Sequence, residues 1–136
     1  MKPKPLAAAE LNALIARMPF NQLIGTRVVR VYRDGLTMEL AVAPQLQNGM
    51  GTLHGGVIAS LVDAAAGVAV IGHLGGQRKT TTVELKVNYL RPATEGKVRV
   101  RARFLKFGKT LVVTACDVTD THGHLIATSL VTYMLL

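Results

Sequence analysis

Residues Val57–Leu74 have the sequence VIASLVDAAAGVAVIGHL, the most apolar segment of the chain. The segment is rich in alanine and long enough for about four turns of helix. Its one carboxylate, Asp63, lies near the middle, where a bilayer makes a charge costly, and the run is short for a membrane span. We therefore predict a helix buried in the core of a soluble domain, with Gly75-Gly76 following its end.

Outside this helix, apolar and polar residues alternate, which predicts β-strands. Two strands come before the helix, joined at Asp34-Gly35, a dipeptide typical of hairpin turns. Four strands follow it, and the short breaks between them predict an antiparallel meander. The predicted strands are Thr26–Tyr32, Leu36–Val42, Thr80–Leu90, Gly96–Lys106, Thr110–Thr119 and Leu125–Met134. One curled antiparallel sheet wrapped around one long apolar helix is an α+β fold with a single core.

The length and composition are those of one globular domain, spanning residues 1–136. Within it, residues 1–19 are expected to form a flexible start and an N-terminal helix over Leu6–Met18, ended by Pro19. No signal-peptide pattern is present, so we expect a cytoplasmic protein. The single cysteine, Cys116, cannot form an internal disulfide, and its place in an alternating apolar strand predicts a core residue.

The net charge of +8 is concentrated in one part of the chain. Between Arg78 and Lys109 there are ten Lys and Arg residues against two acidic ones. Such an excess predicts an anionic partner (a nucleotide, a phosphate-bearing cofactor, nucleic acid or a membrane surface) or a solvated face. Four of these cations alternate along one predicted strand and so share one face of the sheet; they are Lys97, Arg99, Arg101 and Arg103.

A glycine-rich loop leads into the central helix, with the sequence Asn48-Gly49-Met50-Gly51-Thr52-Leu53-His54-Gly55-Gly56. Glycine lets the backbone approach a ligand closely. The helix is expected to begin near Gly55, where its free N–H groups and positive dipole end suit a developing negative oxygen. An oxyanion hole for acyl transfer has this requirement.

Asp63 lies two turns further along the same helix, in apolar surroundings. A carboxylate there costs free energy unless it is hydrogen-bonded or functional. It could serve as a general base or nucleophile, bond to a neighbour such as Ser60, or face solvent. Gly55 and Asp63 are about 12 Å apart along the helix axis, so a site that uses both needs one from each of two chains. Two antiparallel helices about a twofold axis supply that pairing twice.

These segments together resemble the phenylacetate-type branch of the hotdog-fold acyl-CoA thioesterases. The resemblance rests on the loop and helix from Asn48 to Asp63, the segment Thr82–Pro92 and the turn Lys106–Lys109. It implies that Asp63 is the nucleophile or the base that activates water, and that the Gly55 N–H polarises the thioester carbonyl. It further implies that Asn48 positions the attacking group, that Thr82 lies near Asp63, and that His54 either orders the loop or contacts the thioester.

The same resemblance implies an acyl-CoA substrate, whose phosphates would explain the basic segment. The implied CoA contacts are Tyr89, Arg91, Lys106 and Lys109. It also implies a homodimer and suggests a tetramer of paired dimers. We expect no cofactor beyond the CoA of the substrate, no metal, and neither nucleic acid nor membrane as a partner. His122 and His124 flank a turn without the further ligands that a metal site needs.

Two other functions remain open from the sequence. One is a hotdog dehydratase acting on a thioester through His54 and Asp63. The other is a non-catalytic acyl-CoA sensor, for which steeply salt-dependent DNA binding would be evidence. The acyl group is also open, with aryl-acetyl, benzoyl and medium fatty acyl groups as candidates.

Overall fold

The computed structural model describes residues 2–136, in which one antiparallel sheet curls around one long helix. The helices are α1 (Ala8–Ile15), α2 (Pro19–Ile24) and α3 (Gly55–His73), and a single 3-10 turn covers Pro44–Leu46. The strands are β1 (Arg27–Tyr32), β2 (Gly35–Ala41), β3 (Thr80–Tyr89), β4 (Lys97–Phe107), β5 (Leu111–Thr119) and β6 (Leu125–Leu135). The predicted α+β architecture is confirmed.

The core lies between α3 and the concave face of the sheet, because both surfaces are apolar there. Leu61, Val62, Ala65 and Ala66 of α3 are fully buried. They face alternate residues of the strands, such as Val100 of β4, and each buried Val or Leu contributes about 1.5–3 kcal/mol. By length and composition α3 could cross a membrane, but 56% of its most apolar window is buried inside the protein.

Cys116 is part of this core, as predicted. Its side chain is fully buried on β5, and its Sγ lies 3.7 Å from the carbonyl oxygen of Val62. Burial raises the pKa of the thiol to about 12, with a further contribution from the nearby Asp117 charge. The thiol is therefore protonated at neutral pH and behaves as a small apolar side chain.

The predicted meander of the last four strands is wrong for β3. The strand order is β1-β2-β4-β5-β6-β3, so β3 pairs with β6 rather than with β4. The connection after β3 crosses under the start of α3 instead of turning back. Leu90 and Arg91 donate backbone hydrogen bonds to Ile126, and Leu53 donates one to Ala93. As a result β3 is an edge strand with one side free.

The N-terminal region contains two short helices where the sequence predicted one. Leu11 and Ile15 of α1 are buried, and the amide of Asn12 exchanges two hydrogen bonds with the backbone of Val28 on β1, at 2.8 and 3.0 Å. Pro19 does follow the end of α1, but it also begins α2. Proline suits the first helical position, because its fixed φ is helical and no partner is needed for its missing N–H.

The cationic row on β4 lies on the outer face of the sheet, away from α3. Glu39 of β2 is buried beneath it and accepts hydrogen bonds from Arg27, Lys97 and Arg99 at 2.8, 3.3 and 3.2 Å. Arg101 pairs with Asp34 at 2.6 Å. The row thus faces outward and is partly neutralised by Glu39 and Asp34.

Candidate active site

The N-terminus of α3 is built by His54, whose ring is the helix cap. Its Nδ1 accepts a hydrogen bond from the Gly56 N–H at 2.8 Å. A side chain at position 56 would bring a Cβ within 3.0 Å of that nitrogen, so Gly56 leaves room for the ring. His54 therefore orders the loop, which the sequence offered as one of its two roles. With Nδ1 accepting, the neutral ring carries its proton on Nε2.

Gly55 is the first residue of α3, and its N–H has no acceptor within residues 2–136. Its carbonyl oxygen accepts a hydrogen bond of 2.6 Å from the Tyr89 hydroxyl of β3. A cavity of about 320 Å³ opens at this point and is lined by Leu53, Gly55, Ile58 and the segment 89–92. The expected donor for an oxyanion therefore lies in an open, mostly apolar cavity at a helix N-terminus.

Asp63 lies on the one stripe of α3 that the sheet does not cover, and it is half-buried. Its Oδ1 accepts hydrogen bonds from the Thr82 hydroxyl at 2.8 Å and from the Tyr133 hydroxyl at 2.9 Å. Within residues 2–136 no side chain donates to its other oxygen, Oδ2. Ser60, the alternative partner, bonds instead to the Gly56 carbonyl at 2.8 Å. The carboxylate is thus held through one oxygen, while the other accepts no side-chain hydrogen bond from the described residues.

Tyr133 is a site residue that the sequence analysis missed. It lies on the inward face of β6 at 8% exposure, and its hydroxyl also lies 2.9 Å from the Asp63 carbonyl oxygen. Burial raises the pKa of this hydroxyl, so it stays a donor at neutral pH. Gly67 makes the contact possible, because a Cβ there would lie 2.5 Å from the hydroxyl oxygen. The sequence signal that could have identified this residue is a tyrosine at a core-facing strand position, because a buried hydroxyl needs a hydrogen-bond partner.

Asn48 holds the glycine-rich loop together in this chain. Its Oδ1 accepts from the N–H groups of Met50 and Thr52 at 2.9 and 3.2 Å, and its Nδ2 donates to the Thr52 hydroxyl at 2.8 Å. These bonds form an Asx-type turn. Its predicted role in positioning the attacking group stays a prediction.

The four expected CoA contacts lie at opposite ends of α3. Tyr89 and Arg91 line the cavity at Gly55. Lys106 and Lys109 flank Phe107, whose ring lies 4.5 Å from the His73 ring at the last residue of the helix. Nineteen residues of helix separate the two pairs by about 27 Å. One chain therefore does not gather them around one ligand.

The remaining histidines lie away from Asp63. His122 and His124 occupy the β5–β6 turn, where His124 Nδ1 lies 3.1 Å from an Asp120 oxygen. Burial and the nearby Lys2 charge lower the pKa of His73. Across residues 2–136, no three His, Cys, Asp or Glu side chains lie close enough together to hold a metal ion.

Comparison of the sequence with known proteins agrees with the thioesterase resemblance of the loop and helix segments. Residues 50–127, more than half of the chain, match the family described as the thioesterase superfamily. Acyl-coenzyme A thioesterase 13 of Mus musculus is 38% identical over 96 residues, which covers 69% of this chain and 68% of the mouse protein. The medium/long-chain acyl-CoA thioesterase YigI of Escherichia coli is 26% identical, covering 89% and 88% of the two chains.

A solved structure shows the same fold. The thioesterase HI1161 of Haemophilus influenzae superposes with a TM-score of 0.91, covering 100% of this chain and 95% of that one, at 23% identity. The curled sheet around one helix is the hotdog fold that the sequence predicted.

Proposed function

Because this chain belongs to the thioesterase superfamily and is a thioester hydrolase, we propose that it hydrolyses acyl-CoA to a free acid and CoA in a site built by two copies of the chain. The observation that carries this proposal is the pair of half-sites on α3. One offers a free backbone donor at Gly55, and the other offers a fixed carboxylate at Asp63 with one free oxygen. They are about 12 Å apart in one chain.

An antiparallel second copy would bring the two half-sites together. The free edge of β3 supports such a copy, since it carries the exposed apolar side chains Val83, Leu85 and Tyr89 at 51%, 37% and 52% exposure. Unpaired edges of this length invite pairing with another strand. Pairing of two β3 edges would set the two α3 helices side by side, with Gly55 of each copy near Asp63 of the other, and would give two sites per dimer.

The chemistry follows from the two groups. The thioester carbonyl oxygen accepts from the Gly55 N–H of one copy, where the helix dipole favours the negative charge that develops. Asp63 of the other copy supplies the oxygen nucleophile, either by attacking the carbonyl carbon or by deprotonating a water that attacks it. In the first route a C–O bond to Asp63 forms as the C–S bond breaks, and water then hydrolyses the acyl anhydride on Asp63. In the second route the C–O bond forms with the attacking water as the C–S bond breaks. In both routes a proton from the water ends on the CoA thiolate. Overall one water is consumed.

The same arrangement would gather the CoA contacts. The helix of the second copy runs past the Gly55 cavity, so its C-terminal end lies about 15 Å beyond that cavity. Lys106 and Lys109 of the second copy would then lie on the same side as Tyr89 and Arg91 of the first. Their charges suit the phosphates of CoA. The acyl-CoA substrate of the two relatives is consistent with this assignment.

Two further features belong to this proposal. The outer face of β5 and β6 exposes Leu111, Leu130 and Met134 at 43%, 44% and 37%, which supports pairing of dimers into a tetramer. We also propose a cytoplasmic location and turnover without cofactor, metal, nucleic acid or membrane partner.

Hydrolysis of aryl and aliphatic acyl-CoAs, followed by release of free thiol, tests the proposal. Wild type is expected to turn over members of the panel, and Asp63→Asn is expected to lose that turnover. The matched control is Asp117→Asn, since Asp117 accepts from the Thr128 hydroxyl at 2.7 Å on the outer face of the sheet. No turnover of any acyl-CoA, or equal loss in both variants, would contradict the assignment.

A further inference from the structure

A second cavity lies beside Asp63 and runs along α3 away from the end at Gly55. Its volume is about 280 Å³. Its floor is the α3 segment from Ala64 to Ile71, one wall is the start of β3 from Thr80 to Thr82, and Met18 and Asn21 cover it. Thr82 and Tyr133, which hold the Asp63 carboxylate, form the near end. We call this cavity the α3 groove.

We propose that the α3 groove holds the acyl chain and that the substrates are straight-chain acyl-CoAs of medium length. This inference rests on the proposed function. Asp63 and Ile71 are eight residues apart, so the groove extends about 12 Å along the helix. An extended hydrocarbon with C–C bonds near 1.5 Å advances about 1.25 Å per carbon. The groove therefore accommodates about nine or ten carbons beyond the reacting carbonyl.

The floor of the α3 groove rises with distance from the carboxylate. Next to the carboxylate the floor is made of Ala64 and Gly67, and the larger Val68 and Ile71 come only further along. A Cβ at position 67 would lie 2.5 Å from the Tyr133 hydroxyl oxygen, so a side chain there would displace that hydroxyl. The one amide in the cover, that of Asn21, already has hydrogen-bond partners. It donates to the Met18 sulfur at 3.4 Å and accepts from the Thr26 hydroxyl at 2.9 Å.

The open side of the groove would be closed by the second copy. In the antiparallel arrangement, the loop that precedes Gly55 in the second copy continues past Asp63 toward Ile71. That loop carries Met50, which is 84% exposed, and the facing α2 carries Leu23 and Phe20 at 73% and 54%. Met50 and Leu23 have the largest exposures among the large apolar side chains of residues 2–136. An acyl chain enclosed between them would bury apolar surface that one chain leaves in water.

The test is a series of straight-chain acyl-CoAs from butanoyl to palmitoyl, each below its micelle concentration, with kcat/KM measured for wild type and variants. Each methylene buried in the groove should raise kcat/KM about fourfold, and the rise should level off near decanoyl. Ile71→Phe shortens the groove and should lower the ratio of decanoyl to butanoyl kcat/KM by at least about tenfold. Ile71→Ala lengthens the groove, so the acyl-chain length at which kcat/KM levels off should increase. Leu125→Phe, at the start of β6 beside the β5–β6 turn and 40% exposed, is the matched control and should leave the profile unchanged.

The outcomes separate this inference from the function it rests on. Absence of thiol release with every chain length would overturn both. Turnover with a profile that is flat, or that breaks at the same chain length in wild type, Ile71→Phe and Ile71→Ala, would leave the thioesterase function intact and overturn the groove assignment. Circular dichroism and molecular mass check that each variant folds and assembles as wild type does.

Discussion

The two half-sites on α3 use different parts of the protein for their chemistry. In the proposed site the reactive group at the N-terminus is the backbone N–H of Gly55, and the side chains of His54 and Tyr89 hydrogen-bond to the backbone around it. Two turns later the working group is the side chain of Asp63, held by Thr82 and Tyr133 from two adjacent strands. One half depends on helix geometry, and the other depends on an assembled set of side chains.

This difference predicts how each half-site will respond to substitution. The Gly55 donor has no side chain to remove, so it responds only to changes of the backbone or its cap. The Asp63 half responds to loss of any hydroxyl that holds it. In the proposed mechanism neither half-site acts alone, because the helix that carries both holds them about 12 Å apart.

Loss of the carboxylate should have the largest effect. Asp63→Asn keeps the shape of the side chain and removes its charge, so turnover is expected to fall by at least about 10²-fold, as for removal of a general base. The protein should stay folded and dimeric, as measured by circular dichroism and light scattering. Full activity of Asp63→Ala would rule out the proposed mechanism.

Gly55→Pro removes the backbone donor almost without changing the helix. Proline is favoured at the first helical position, and His54 already has the extended backbone (φ −61°, ψ 135°) that a following proline requires. Turnover is expected to fall about 10²- to 10³-fold, as for loss of one oxyanion donor. Gly55→Ala retains the N–H, and its Cβ would lie 3.4 Å from the Tyr89 ring, so it should lose less. Equal loss in both variants would argue against a role for the N–H.

Removal of the Tyr133 hydroxyl should have an intermediate effect. Tyr133→Phe takes one charge-assisted hydrogen bond from Asp63 and should lower kcat by about tenfold or more, in line with a bond of this kind. Gly67→Ala should lower kcat as well, because its Cβ would displace the hydroxyl, even though alanine is the better helix former. Wild-type kcat in Tyr133→Phe would mean that Thr82 alone holds the carboxylate.

His54 variants separate its capping role from direct catalysis. Loss of the cap in His54→Ala is expected to lower the free energy of unfolding by about 1 kcal/mol, and His54→Asn, which keeps a capping side chain, should recover it. Turnover should recover with stability if the ring only orders the loop. A stable His54→Asn variant that stays as inactive as His54→Ala would assign the imidazole a direct role in the reaction.

Glu39 provides the contrast of a buried carboxylate outside the site. Burial alone would raise the pKa of Glu39, but hydrogen bonds from Arg27, Arg99 and Lys97 outweigh it and lower the pKa from 4.5 to about 2. Its contribution to stability is therefore present above pH 4.5 and is lost as the pH falls toward about 2. Glu39→Gln should lessen this acid dependence in denaturant titrations and leave the turnover of the folded enzyme unchanged. A large loss of turnover by Glu39→Gln at neutral pH would show that residues on the outer face of the sheet affect the reaction.

Much of the fold could be predicted because its elements have local signals. The apolar run around Asp63 and the alternating strands specified α3 and the sheet, and Asp34-Gly35 marked the first turn. The position of β3 could not be predicted in this way. A strand pattern does not specify its neighbour, and the pairing of β3 with β6 depends on where Leu90 and Arg91 find backbone partners after the strand ends.

The residues of the candidate site also divide into those with a local sequence signal and those without one. Asp63 could be singled out because a carboxylate in an apolar helix is costly, whereas the glycine pair at the helix start is a weak signal alone, and the roles predicted for both rest on the family resemblance. Tyr133 was missed because its contact with Asp63 joins residues 70 positions apart in the chain. The proposed gathering of Lys106 and Lys109 with Tyr89 could not be derived from one chain either, since it would depend on the arrangement of two.

The central claim is that each site combines Gly55 of one copy with Asp63 of another, and complementation tests it directly. Gly55→Pro and Asp63→Asn chains carrying different tags are co-expressed, and dimers containing both are isolated by two affinity steps. Such a dimer has one site with both defects and one with neither, so we predict about half of the wild-type turnover per dimer, far above either parent. Turnover that stays at the level of the two inactive parents would contradict the shared site.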